Sequence, residues 1–386
     1  MSTVSSTEFT AGQMVSALAV GCIGVLMVGI QPILLGELVD AHQVSLEGVG
    51  LVAMAEIIAL GLGVALGDAL LPVARLRLIT LLAGLLGAGL DLLSLQATGD
   101  GSMTALRAGA GLAEGVLVWG TTGVVVRCAN PARVAGIFFV VQTLGQAALG
   151  ALLAHAVLPR WGWQGGFATL ALLTLLALPL AFAQPTRLAP LSPPSVTGFR
   201  WSLRTMLPLP AVLLHLAALG AFWAYLEPLG QAAGLDARAA QSLIAGVLFM
   251  QVLGGSVATT AVRRLPTVPT LLVCSALLGA ITLGVHQLPG GHALHFMLGC
   301  AVFGFVWLFM LPFHIALAFR ADRSGRVAGL VPAAQLLGAA FGPLTASFLV
   351  QGDDASPVPL LSSGFALLSA GVLWAARRHG STPPSA

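Results

Sequence analysis

Apolar residues run along this chain in blocks of about twenty or more, each closed by a short polar or proline-containing connection. Blocks of that length suit helices that cross a hydrocarbon core roughly 30 Å thick. Barrel strands would instead show about ten residues of period-two alternation, a pattern the sequence does not carry. Twelve spans are predicted. Six fall in the first half, at 13–36, 48–70, 78–96, 103–126, 134–158 and 165–184. Six more follow at 206–228, 239–262, 267–286, 293–319, 327–350 and 358–376. Between the halves, QPTRLAPLSPPSVTGFRWSLR (184–204) carries Pro185, Pro190, Pro193 and Pro194, which break helices and mark a linker. The other connections are short, so successive helices form antiparallel hairpins. The expected organisation is an all-α membrane protein with a six-helix bundle over 1–184, a linker over 185–205 and a second six-helix bundle over 206–386.

An internal repeat supports that division. RVAGIFFVVQTLGQAALG (133–150) returns 193 residues later as RVAGLVPAAQLLGAAFGP (326–343), with eight of eighteen positions identical and no gap. Arg133, Val134, Ala135 and Gly136 match Arg326, Val327, Ala328 and Gly329. Gln142, Leu144, Gly145 and Ala147 match Gln335, Leu337, Gly338 and Ala340. The pattern predicts two copies of one structural unit fused head to tail and related by a pseudo-twofold axis along the membrane normal.

Composition agrees with the pattern. At 57% hydrophobic and 8% charged residues, the chain has too little polar surface for a water-soluble globule. It contains no lysine, which argues against a phosphate-binding P-loop and against Schiff-base chemistry. Neither HExxH nor GxSxG occurs and the histidines are scattered, so an enzyme is not expected. Cys22, Cys128, Cys274 and Cys300 lack CxxC spacing, and neither a metal nor a cofactor is expected. The N-terminal MSTVSSTEFT has no basic residue and leads into a long apolar span, the pattern of an uncleaved first helix. With that terminus inside, fourteen arginines (75, 77, 127, 133, 187, 200, 204, 263, 264, 320, 323, 326, 377 and 378) fall on the cytoplasmic side and only Arg160 and Arg238 outside. This positive-inside bias predicts a multi-pass protein of the cell's inner (plasma) membrane with both termini cytoplasmic. The net charge of +3 then reports topology rather than nucleic-acid binding.

Twelve spans in two sixes, a basic central linker and arginines at the 2–3, 4–5, 8–9 and 10–11 connections resemble the major facilitator superfamily. GDALLPVARLR (67–77) is similar to the family's motif between helices two and three through Gly67, Arg75 and Arg77. Leu71 stands at the motif's acidic position and Asp68 lies three residues early. LRAGAGLAEG (106–115) resembles the Arg-x-x-x-Gly signature of helix four through Arg107 and Gly111, and Gly338, Gly342 and Pro343 resemble a Gly-x-x-x-Gly-Pro pattern in helix eleven. The resemblance implies alternating-access transport, a central cavity lined by helices one, four, seven and ten, and an inner gate at Gly67, Asp68, Arg75 and Arg77.

Residues for chemistry follow from charge inside apolar spans. Arg107, Gly111, Glu114 and Thr121 recur at i, i+4, i+7 and i+14, on one helix face. Glu114 near mid-span must be paired, protonated or hydrated, because a charge there costs about 2.5–3.5 kcal/mol. Arg107 and Glu114 are therefore the candidate proton-coupling pair, with substrate contact and plain packing as alternatives for Glu114. Seven residues span about 10 Å of helix axis, which reads as too long for an ion pair within the helix. Glu56 and Asp91 read as packing or outer-gate residues. Gln31 and Pro32 are expected to interrupt helix one, His215 to serve as a relay or a packing residue, and Trp223 and Tyr225 to form an interfacial belt. Gly109, Gly111, Gly115, Gly145 and Gly150 are expected to allow close helix approach. The candidate substrate contacts are Gln31, Arg107, Glu114, His215, Trp223, Trp307 and Met310, the last two on a helix ten whose other aromatics mostly face lipid. The expected function is a monomeric secondary transporter in the lipid bilayer that exchanges protons for a small hydrophobic or amphipathic solute, as an efflux system. Uptake of a small carboxylate or sugar-like solute is the alternative, and a non-transporting receptor or scaffold is a remote one.

Overall fold

The structure is a computed structural model that describes residues 9–186, 188, 202–287, 292–322 and 326–379. Most of the linker, with Arg187, Arg200 and Arg323, lies outside the described residues. The described part is helical throughout, apart from one isolated β-bridge between Gln351 and Asp354. The chain separates into two compact units, residues 1–44 with 55–193, and residues 45–54 with 194–386.

The first unit contains α1 (Ala11–Ile23), α2 (Leu26–Asp40), most of α3 (Leu46–Leu70), α4 (Leu76–Leu93), α5 (Gly99–Val125), α6 (Pro131–Leu152), α7 (Leu158–Leu175) and α8 (Ala177–Ala183). The second contains the short α9 (Leu203–Met206), α10 (Pro208–Ala224), α11 (Leu226–Ala232), α12 (Ala237–Arg264), α13 (Thr267–Gln287), α14 (Ala293–Ala321), α15 (Arg326–Ser347) and α16 (Pro357–His379). Among the described residues ten stretches are long and apolar enough to cross a membrane, and the bent pair α10–α11 makes an eleventh. The longest, Arg133–Ala183, has 51 residues, enough for two crossings at 1.5 Å per residue. Counted that way the total is the expected twelve. The two crossings divide at Gly162, whose φ of 54° is a left-handed conformation that only glycine adopts without strain. Large apolar side chains such as Leu82, Leu172, Phe182 and Leu367 stay exposed, as a lipid-facing surface requires.

The first span breaks, but not at Gln31–Pro32 as expected. Helix α2 runs through Pro32, and the interruption falls at Gly24–Val25. Two features explain the displacement. A Cβ on Gly24 would stand 2.8 Å from the Glu114 carbonyl oxygen, so the first span crosses α5 at this glycine. The Val25 carbonyl at the break also accepts from Gln146 Nε2 of α6 at 2.6 Å, which ties the interruption to a neighbouring helix. In the second unit α10 gives way to α11 at Tyr225 with a bend of 56°.

Glycines set the close helix contacts. A Cβ on Gly111 would meet the backbone of Glu56, and one on Gly115 would meet the backbone of Leu60, Gly63 and Val64, so α3 and α5 touch backbone to backbone. In the second unit Gly338 and Gly342 press on the Leu213 and Ala217 carbonyls, which brings α15 onto α10. Gly145 does not act this way: a Cβ there would meet nothing within 4 Å. Gly109 meets only the Leu90 side chain, at 3.2 Å, rather than a backbone.

Candidate functional site

The approach of α3 to α5 at Gly111 places Glu56 beside Arg107 in the first unit. The Arg107 guanidinium is fully buried and faces three carboxylates from three helices. Nε donates to Glu56 Oε1 at 3.0 Å, and Nη2 donates to the same oxygen. Nη1 donates to Asp91 Oδ1 of α4 at 2.6 Å, and Nη2 also donates to Glu114 Oε1 at 3.1 Å. Gln31 Nε2 of α2 donates to the other Glu56 oxygen at 3.1 Å, and the Thr174 hydroxyl of α7 donates to Asp91 Oδ2 at 3.3 Å. The guanidinium carbon lies 5.6 Å from the centre of the Phe167 ring, within cation–π range. One oxygen of each carboxylate is thus met by a planar fork of donors, which lysine could not reproduce. Gln31 and Thr174 serve the second oxygens of Glu56 and Asp91. Glu114 Oε2 is buried and has no hydrogen-bond partner among the described residues.

One sequence expectation is corrected here. The Arg107–Glu114 pair does form within α5. Side chains on a helix lean towards its N-terminus, so Glu114 leans back towards Arg107 while the long arginine covers the rest of the distance. Glu56 and Asp91, read as packing or outer-gate residues, are also partners of Arg107. Their signal in the sequence was an acid inside an apolar span; their convergence is tertiary and no spacing encodes it. Thr121, on the same α5 face, donates to the Ala17 carbonyl at 2.7 Å and ties α5 to α1.

The gate motif splits by role. A Cβ on Gly67 would stand 2.6 Å from the Trp119 ring, so this glycine seats α3 on α5. Arg77 Nε donates to the Gln184 carbonyl at 2.8 Å and Thr80 donates to Gln184 Oε1 at 2.8 Å, which caps the C-terminal end of α8. Asp68 and Arg75 are exposed.

The remaining candidates belong to the second unit. His215 is fully buried on α10. Its Nδ1 faces His314 Nε2 of α14 at 3.1 Å, and its Nε2 lies 2.7 Å from the Ser275 hydroxyl of α13. The two rings stack at 5.2 Å. His314 is likewise fully buried. Trp223 is buried against Trp307, edge to face at 5.3 Å, and Phe303 and Phe222 continue the cluster. Tyr225 is also buried, its hydroxyl accepting from the Gly50 N–H at 3.1 Å, so neither ring forms an interfacial belt. On α14, Phe303, Met310 and Phe313 are fully buried rather than lipid-facing. Among the described residues no group of three or more His, Cys, Asp or Glu side chains could hold a metal ion.

Comparison with known proteins accords with this architecture. A search of curated proteins returned no match. Among solved structures, a mutant form of the nucleoside transporter NupG is similar with a TM-score of 0.75 at 12% identity, covering 94% of this chain and 99% of that one. A bacterial homolog of the human lysosomal transporter Spinster, inward-facing and unoccupied, gives 0.65 at 15% identity, covering 98% and 100%. The xylose transporter XylE from E. coli, in a partially occluded inward-open conformation, gives 0.67 at 14% identity, covering 94% and 99%. At such identities the likeness is one of fold. The family model of the Major Facilitator Superfamily matches residues 10–343, and this multi-pass membrane protein belongs to that family.

Proposed function

We propose that the chain is a proton-coupled secondary transporter that exports a small hydrophobic or amphipathic solute, with Arg107, Glu56, Asp91 and Glu114 as the proton-exchanging cluster. The observation that carries this reading is one buried guanidinium among three buried carboxylates. Fully ionised, the cluster has two negative charges in excess, and burying uncompensated charge costs several kcal/mol per ion. Protons are the compensation that needs no further side chain. Glu114 Oε2 is the position for one: unlike the oxygens of Glu56 and Asp91, it can take a proton without surrendering a hydrogen bond. Release and rebinding at this oxygen, as the cluster meets one side of the membrane and then the other, is the coupling step.

Arg107 spends its donors on its own carboxylates, which removes the basis for steering an anionic substrate and favours the efflux reading over carboxylate uptake. The buried Trp223 and Met310 and the half-buried Trp307 supply apolar, polarizable side chains for such a solute. Two six-helix bundles joined by a cytoplasmic linker, a monomeric state, and both termini on the cytoplasmic face of the inner membrane complete the reading, supported by the internal repeat and the arginine distribution.

The test uses purified protein in liposomes, with a panel of lipophilic cations and neutral amphipaths as solutes and a fluorescent proton indicator inside. Solute movement should be accompanied by opposite proton movement and should collapse with a proton ionophore. Glu114→Gln should retain solute exchange while losing gradient-driven accumulation. Accumulation in wild type that ignores the ionophore, or wild-type coupling in Glu114→Gln, defeats the proposal.

A further inference from the structure

The coupling cluster of the first unit uses neither of the buried histidines of the second. Their hydrogen bonds form one chain from the Ser275 hydroxyl to the Gln335 amide, and the Ser275–Leu271 bond favours one direction along it. At one end the Ser275 hydroxyl donates to the Leu271 carbonyl at 2.9 Å, so its oxygen is left to accept, and His215 Nε2 is the donor to it. The same ring's Nδ1 is then a bare acceptor, and His314 Nε2–H donates to it. His314 Nδ1 is bare in turn and faces the Gln335 amide nitrogen at 3.4 Å. Every polar atom of both rings is engaged, and in this direction each imidazole is neutral with its hydrogen on Nε2.

From this arrangement we infer that His314 is a one-proton binding site of the second unit, opened and closed by the amide of Gln335. A proton arriving from water can be held only on His314 Nδ1. His215 Nδ1 already accepts from His314, and His215 Nε2 already carries hydrogen. Binding there requires one local change: the Gln335 amide turns over, so that Oε1 accepts Nδ1–H where Nε2 had donated. The imidazolium then donates from Nδ1 to Gln335 and from Nε2 to His215, while the bonds to Ser275 and Leu271 persist. One proton has been added, no covalent bond is broken, and every N–H has an acceptor. A second proton has nowhere to go, because the two rings would then meet donor to donor. Gln335 is half-buried whereas both rings are fully buried, which makes the amide the side from which a proton arrives.

The titratable group facing each ring is the other ring. Ser275 from α13 and Gln335 from α15 are neutral, and the buried Cys274 beside Ser275 makes no hydrogen bond to either ring. The bound proton is therefore held by the Gln335 oxygen and the neighbouring ring, with no carboxylate of this cluster to fix it in place. Gln335 is the residue matched by Gln142 in the internal repeat, where the first unit has no histidine to offer it and Gln142 Oε1 is buried without a hydrogen-bond partner among the described residues. Use of this proton in transport rests on the proton-coupled reading above; the binding itself does not.

The experiment is nitrogen-15 magnetic resonance of the full chain labelled at histidine, in lipid nanodiscs, with His215→Gln and His314→Gln to assign the two buried rings. At alkaline pH both rings should show the neutral form with hydrogen on Nε2. On acidification His314 alone should become imidazolium while His215 keeps its tautomer. Gln335→Leu removes the acceptor and should weaken proton binding about tenfold or more. Gln335→Glu supplies a permanent acceptor with a negative charge and should strengthen it by about 10- to 1,000-fold. The second variant decides the matter should the first fail to fold. Protonation of His215 first, no protonation of either ring before unfolding, or an unchanged titration in Gln335→Glu overturns the assignment. Repeating the titration in Glu114→Gln separates the two proposals: His314 should titrate there as in wild type, whatever becomes of coupling.

Discussion

The smallest change that should disable the buried cluster adds one methyl group at a residue that carries no charge. Gly111 holds α5 against the backbone of α3 at Glu56, and a Cβ there would lie 3.1 Å from the Glu56 carbonyl carbon and 3.2 Å from the Ala59 Cβ, with the Glu56 carbonyl oxygen nearer still. Ordinary non-bonded carbon contacts are about 3.5–4.0 Å, so in Gly111→Ala the backbone of α3 must retreat by roughly 0.5–1 Å. Helix backbones are the obstacle, and no rotamer change relieves them. The Arg107–Glu56 bond of 3.0 Å then stretches towards or past the limit of a useful hydrogen bond. Overpacking costs about 1–3 kcal/mol, and a weakened charge-assisted bond adds about 1.5–3 kcal/mol. Gly115→Ala is the control. It meets α3 at Leu60, Gly63 and Val64, a turn beyond Glu56, and should carry the packing penalty with less of the electrostatic one. Thermal unfolding in detergent micelles followed by tryptophan fluorescence compares the stabilities, and the liposome assay compares coupling. Both variants should lose stability, Gly115→Ala through the tighter backbone clash, and Gly111→Ala should be the one that loses proton coupling. Wild-type stability and coupling in Gly111→Ala would refute the claim that this glycine sets the Glu56–Arg107 distance.

Two further outcomes follow from the same geometry. Arg107→Ala leaves three buried carboxylates without their cation and should destabilise the protein by about 3–5 kcal/mol at neutral pH; acidification should restore part of the loss, because each carboxylate that takes a proton no longer needs a partner, and thermal unfolding at two pH values reads the difference. Tyr225→Phe removes the hydroxyl that the buried Gly50 N–H meets besides its place in the α3 ladder and should cost about 0.5–1.5 kcal/mol with no change in proton stoichiometry, as measured by thermal unfolding and by the liposome assay.

Much of the fold was legible because a bilayer makes hydropathy decisive: blocks of apolar residues of one length, arginines on one side and an uninterrupted repeat leave few architectures open. Arg107 and Glu114 were legible for the same reason, since a charge in hydrocarbon announces itself. What the sequence could not convey is convergence. Glu56, Asp91 and Glu114 sit on three helices, and only the packing of α3 and α4 on α5, the first of them at Gly111, decides that all three meet one guanidinium. The break in the first span was misplaced for a related reason. Proline is the usual local signal, yet Pro32 is accommodated, and the interruption falls where Gly24 crosses α5 and Gln146 reaches the Val25 carbonyl. The aromatics of α14 were assigned to lipid because an apolar side chain reads alike whether it faces lipid or a neighbouring helix.

The repeat itself shows how far sequence likeness carries. Gly145 and Gly338 occupy the same register, but a Cβ on the first would meet nothing within 4 Å while one on the second would strike the Leu213 backbone. Gln142 and Gln335 match as well, and only the second has a histidine to bond. An unbroken register therefore preserves the helix and its place in the chain, while the chemistry at each position depends on what the neighbouring helices present. In the first unit they present acids to an arginine, and in the second a serine and a glutamine to a pair of imidazoles. Duplication of a helical unit is constrained by burial; the polar residues inside each copy are free to diverge so long as every donor finds an acceptor. That freedom is why the two halves of one chain can bury such different polar groups.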